Sequence, residues 1–154
     1  MGTGLAEKQR SLIEDYQVIE DAAERFSAIV HQAAAAPALE EAHRAPENLV
    51  PGCVSRVWLV GWRDPATGGC EFRADAEAPT VKGVAVLLAR LYSGATPEEV
   101  LAVEPEIVCA LQIDRQLSPT RLKGLAHIRR RFREIAETLV RNRAPDRRNR
   151  PPLK

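Results

Sequence analysis

Leu49-Val50-Pro51-Gly52-Cys53-Val54-Ser55-Arg56-Val57-Trp58-Leu59-Val60 is the stretch around which the chain is organised. Pro51 fixes its own φ and pushes Val50 toward an extended conformation. Gly52 lets the backbone bend sharply just before the thiol. After Cys53 the pattern turns to β. Val57, Leu59 and Gly61 alternate with Trp58, Val60 and Trp62, in a run rich in β-branched and aromatic residues. Cys53 is therefore placed on a loop at the mouth of a strand, where a scaffold can present a thiol to a partner. Against that stands the ordinary role of a free cysteine as a small buried hydrophobe.

Working outward, Asp64–Gly69 carries hairpin-loop chemistry, and a second strand follows over about Cys70–Ala74. Two strands alone are marginal, so a third is expected, from Asp75–Pro79 or from residues before Cys53, with helices covering one face. Trp58 and Trp62 share a face and read as core. Upstream, Leu12, Tyr16, Ile19, Ala23, Phe26, Val30 and Ala33 follow helical spacing, with Glu20-Asp21 as a candidate break and Pro37 as the stop. Residues 1–10 read as a flexible N-terminus, and 37–51 as a connector with a short helical turn near Leu39–Ala42. Downstream, Thr80–Ser93 reads as a helix stopped by Gly94. Thr96-Pro97-Glu98-Glu99 and Ser118-Pro119-Thr120-Arg121 are two capped helix starts. Between them, Pro105–Leu111 is a short helix whose Cys109 is expected to be packed. The last helix runs to about Arg141. The reading is one domain over 11–142 and a basic disordered tail over 143–154.

Composition bounds the class. A chain of 154 residues with 45% hydrophobic and 28% charged residues is soluble and globular. No apolar run is long enough for a membrane span, and no secretory signal opens the chain, so a cytoplasmic location is the default. The three cysteines, Cys53, Cys70 and Cys109, form no CxxC and are expected to be free thiols. Net charge is only +1, yet residues 127–154 hold ten Lys/Arg against three Asp/Glu. Such asymmetry marks either a nucleic-acid surface or a solvated helix face with a basic tail. The second reading is favoured, because no base-stacking aromatics accompany the arginines.

Three separated motifs complete the pattern: Gly52-Cys53-x-Ser55-x-Val57-Trp58, Asp75-Ala76-Glu77-Ala78 followed by Val81-Lys82-Gly83, and Leu117-Ser118-Pro119-Thr120-Arg121-x-x-Gly124-Leu125. Their order and spacing resemble the SufE family of sulfur-acceptor proteins, over roughly Leu12 to Leu139. The resemblance implies an α+β fold, a small antiparallel sheet packed on one side by helices. It also implies a function. A SufS-like cysteine desulfurase, which carries the pyridoxal phosphate, would pass persulfide sulfur to Cys53. The sulfur would then go on to a SufBCD-like scaffold that builds iron–sulfur clusters. The carrier would stimulate the desulfurase, would need no bound cofactor or metal of its own, and could form a homodimer. Val54 stands where the family often has glutamine, and Asp75-Ala76-Glu77 where Asp-Ser-Asp is common.

The chemistry of transfer sets requirements. Sulfur moves by thiolate attack, yet a free thiol with a pKa of about 8.5 is only a few per cent ionised at neutral pH. Arg121, at a helix N-terminus, is the candidate to raise that fraction, or to pair with Asp75 or Glu77 and hold the loop, with Ser55 as a further loop support. Val54 and Val57 are expected to shelter the idle sulfur. Two rival readings are kept. One is an iron–sulfur scaffold of similar fold, which needs Cys53, Cys70 and Cys109 to converge. The other is a nucleic-acid module using the C-terminal arginines. A thiol hydrolase is disfavoured, since no motif links His31, His43 or His127 to Cys53.

Overall fold

The computed structural model describes residues 4–142. Two antiparallel strands, β1 (Val57–Arg63) and β2 (Cys70–Ala76), form the sheet. Their register pairs Val57 with Ala76 and Arg63 with Cys70. The expected third strand is reduced to one bridge, Leu49 to Trp58, beside β1. The reason is local. Pro46 and Pro51 flank Leu49, and the connector spends itself in two 3-10 turns, Glu41–His43 and Pro46–Asn48.

Helices α1 (Gly4–Gln17) and α2 (Ala22–Ala35) precede the sheet. The break between them falls at Asp21, whose carboxylate caps α2 by accepting from the Glu24 amide at 2.9 Å. The expectation of a flexible N-terminus over 1–10 is corrected here. α1 already includes these residues from Gly4 onward, and Leu5 is 2% exposed. The Gln9 side chain also reaches across the fold, donating to the Glu104 carbonyl and accepting from the Ile107 amide. Periodicity starting at Ser11 hid this first anchoring turn, because Leu5 stands alone among polar neighbours. The expected tail over 143–154 lies outside the described residues.

After the sheet come α3 (Pro79–Tyr92), α4 (Pro97–Ala102), the one-turn α5 (Ile107–Ala110) and the long α6 (Pro119–Arg141). α4 carries a complete Thr96/Glu99 capping box, and Ser118 caps α6. α3 is the centre of the core. It presents Val84, Leu87, Leu88 and Leu91 inward and packs on β2 and α2. Phe132 of α6 meets Phe72 edge-on at 4.9 Å and Tyr92 at 5.1 Å. The helices therefore cover one face of the sheet, the face of Val57, Leu59 and Phe72. The other face is closed by the connector, where Leu39 and Leu49 cover Trp58, Val60 and Trp62 in a second, smaller cluster. Cys109 is corrected as well. α5 turns Ile107 and Val108 inward and leaves the Cys109 thiol exposed.

Candidate functional site

Cys53 sits where the sheet mouth meets the second turn of α6. Its Sγ lies 3.6 Å from the Gly124 carbonyl, to which the thiol donates. A Cβ built on Gly124 would stand 3.6 Å from the same sulfur, an ordinary van der Waals contact, so it is the helix backbone at this position that the thiol packs against. Gly52 turns the chain with φ +88°, the left-handed region open to glycine. The ring of His127 packs directly on it: a Cβ there would lie 2.7 Å from Nε2. Gly124 and His127, one turn apart on α6, thus hold the loop at two neighbouring points. Sequence reasoning missed His127. The available signal was its three-residue spacing from Gly124 on a helix already placed near the thiol.

The loop's two ends are fixed. The Val50 amide donates to the Val57 carbonyl at 2.8 Å. Arg56 and Glu77 clasp each other three times, Glu77 N–H to Arg56 C=O at 3.0 Å, Arg56 N–H to Glu77 Oε1 at 3.1 Å, and guanidinium to carboxylate at 3.0 Å. Glu77 therefore supports the loop, through Arg56. Asp75 acts one step further out. Its buried carboxylate takes the Leu39 and Ala76 amides and pairs with Arg44 and, at 3.4 Å, Lys82. Burial opposes its charge, but the two amides and two cations together hold the carboxyl below its usual range. Ser55 is half-buried and forms no side-chain hydrogen bond among the described residues.

Two expectations about the thiol's surroundings change. Arg121 donates to the Thr80 hydroxyl, stapling the first turn of α6 to that of α3. It pairs with neither Asp75 nor Glu77, whose carboxylates are committed elsewhere. Burial pushes the Cys53 thiol up, and no cation among the described residues offsets it. Arg121→Ala is therefore expected to leave the Cys53 titration unmoved while costing about 0.5–1.5 kcal/mol for the lost staple. A rise in the thiol pKa of that variant, followed by thiolate absorbance, would restore the electrostatic role. The shelter is also only half built as expected. Val57 is buried, but Val54 is 84% exposed and points away from the core. Leu122, 40% exposed, is the other exposed large apolar side chain on the elements that form the site.

The three thiols do not form a cluster. Cys70 is buried in the hairpin and pushed up to about 12 by that burial, while Cys109 lies exposed on α5. Among the described residues no group of three His, Cys, Asp or Glu side chains is placed to hold a metal ion. No helix among them is long and apolar enough to cross a membrane.

Comparison with known proteins gives this geometry its context. Residues 10–136 match the SufE family, described as an Fe-S metabolism associated domain. The chain belongs to the SufE family. A SufE-like protein of Rhizobium etli, itself uncharacterised, is 33% identical over 129 residues, covering 82% of this chain and 87% of the relative. A chloroplastic quinolinate synthase of Nicotiana tabacum is 35% identical over 106 residues, 69% of this chain. The match spans only 15% of that enzyme's length. Among solved structures, a hypothetical protein of Thermus thermophilus shares the SufE fold, with TM-score 0.70 at 23% identity, over 88% of this chain and 97% of the other.

Proposed function

We propose that Cys53 is the persulfide carrier of a sulfur relay in Fe–S metabolism. The observation that carries the reading is the seating of the Cys53 thiol, on a glycine-hinged loop with both ends pinned and its sulfur against the Gly124 carbonyl. A cysteine desulfurase is the expected donor and an iron–sulfur scaffold the expected acceptor. The match to an Fe-S metabolism associated domain supports that placement. Three free thiols fit a reducing compartment such as the cytosol.

The transfer balances without an outside oxidant. Cys53 first gives up its proton. Its thiolate then attacks the outer, sulfane sulfur of the donor's persulfide, and the donor's S–S bond breaks. The donor leaves as a thiolate, and Cys53 holds the new S–S bond. The resting seat disfavours this step, since burial raises the thiol pKa. It also shields the sulfur from stray reductants and electrophiles. Release of the loop from Gly124 and His127 restores an ordinary thiol and its larger thiolate fraction. Gating by the loop thus couples reactivity to partner contact.

Intact-mass measurement without reductant tests the proposal. The chain is mixed with a cysteine desulfurase and L-cysteine. Wild type is expected to gain one sulfur atom, and Cys53→Ser none. Equal gain in both, or no gain while the desulfurase demonstrably releases sulfide, would overturn it.

A further inference from the structure

A cleft of about 850 Å³, which Cys53 does not line, opens beside the C-terminal half of α3. Its floor is apolar, with Leu12, Phe72 and Val86. Its rim is basic. Lys8, Arg73 and Arg90 line it; none of the three forms a close ion pair among the described residues, and Glu71 acts on Lys8 only through space. Lys8 caps the carbonyls of Arg90 and Ser93, Arg90 donates to Tyr16, and Arg73 lies over the Trp62 ring. Glu40 is the one acid lining the cleft. Cations held by neutral partners at the mouth of an apolar trough ask for an anion with an apolar body.

The backbone adds a second, independent observation. Asp64 N–H bonds Gly69 C=O, and Glu77 N–H bonds Arg56 C=O, which fixes the phase of the ladder. In this register, Cys70, Phe72 and Ala74 then turn their amides and carbonyls away from β1, toward the free edge of β2. The segment 93–95 covers the first two. Cys70 exchanges bonds with Gly94 and Ala95, and Phe72 with the Ser93 hydroxyl. Ala74 is left. Its N–H and C=O have no partner among the described residues, and Ala74 lines the cleft. An open strand edge is a template for another strand.

We propose that this cleft docks an extended, acidic and partly apolar peptide segment of a partner protein, which adds to the edge of β2 at Ala74. The other occupants fit poorly. Residues 143–154 of this chain carry five Lys/Arg against one Asp, the same sign as the rim. A second copy joined edge to edge would bring the same three cations face to face. The surface is separate from the sulfur site: none of Gly52, Cys53, Gly124 and His127 lines the cleft.

The test is a nuclear magnetic resonance titration of the ¹⁵N-labelled chain with a ten-residue peptide of alternating Glu/Asp and Val/Leu. The amides of Ala74, Ala38 and Ala89 are expected to shift. Arg73→Glu should weaken binding at least tenfold while Cys53 still loads sulfur normally. Methylating alternate peptide amides should abolish binding in one phase and spare it in the other. Four results would overturn the proposal: no binding; equal binding of both methylated phases, which is diffuse charge attraction; Ala74 shifts that follow chain concentration without peptide, which is a second copy; or Ala74 shifts caused by deleting 143–154, which is the chain's own tail. If sulfur loading also failed in wild type, the relay reading would fall separately from this one.

Discussion

Asp75→Ala is expected to destabilise the domain by about 3 kcal/mol. Breaking a buried ion pair by removing one partner typically costs about 3–5 kcal/mol. The lower end applies because the Arg44 side chain is 38% exposed and can return to water. Lys82 is more enclosed and remains partly uncompensated. The amides of Leu39 and Ala76 lose their acceptor too. Leu39 is held over Trp58 by that carboxylate, so the small second cluster opens first. Chemical denaturation followed by tryptophan emission checks both statements, with a red shift of Trp58 preceding or accompanying a lowered midpoint. The pH dependence has a definite sign. Asp75 has a folded pKa below its unfolded value. Its contribution is fully present above the unfolded pKa of about 3.9 and is lost as pH falls through the folded one. Wild type should therefore lose its advantage over the variant on acidification below about pH 4, and keep it at neutral pH. A variant that matches wild-type stability at neutral pH would refute the argument.

Gly52→Ala is expected to cost about 2 kcal/mol and to unseat the thiol. A non-glycine residue in the left-handed region costs roughly 1–2 kcal/mol, and Gly52 has φ +88°. The new methyl would also stand 2.7 Å from the His127 ring, which must turn away. The loop then loses one of its two holds on α6. Cys53 should alkylate faster with iodoacetamide, by about tenfold, as its thiol leaves the shelter and returns toward ordinary acidity. His127→Ala combined with Gly52→Ala removes the clash but not the backbone strain. Part of the loss should be recovered, with a coupling of about 1 kcal/mol between neighbours. Purely additive effects would show that the ring does not hold the loop.

The α+β reading, the hairpin and the capped starts of α4 and α6 were legible in the sequence, because each rests on local chemistry. Val57 and Leu59 alternate with Trp58 and Val60 along one strand, and Thr96-x-x-Glu99 forms the box its spacing encodes. Cys53 stood out because Pro51 and Gly52 prepare a bend before it. What stayed hidden depends on contacts far apart in sequence. Arg121 could be placed at a helix start, but whether it met the thiol, Glu77 or Thr80 depends on how α3 and α6 cross. His127 became part of the site only when α6 was laid against a glycine seventy-five positions earlier. The exposure of Val54 and Cys109 follows from which side of a single turn faces the core, which periodicity cannot read over so few residues.

The clamp between Val50 and Val57 has a mechanical consequence. With both ends fixed, the tether that carries Cys53 is the six residues 51–56. Six residues drawn straight span about 20 Å, and a chain anchored at both ends can lift its middle by no more than about half of that. The sulfur's working radius is thus about 10 Å, set by contour length alone. A donor whose own active sulfur lies deeper than this below its surface must extend an arm of its own to meet it.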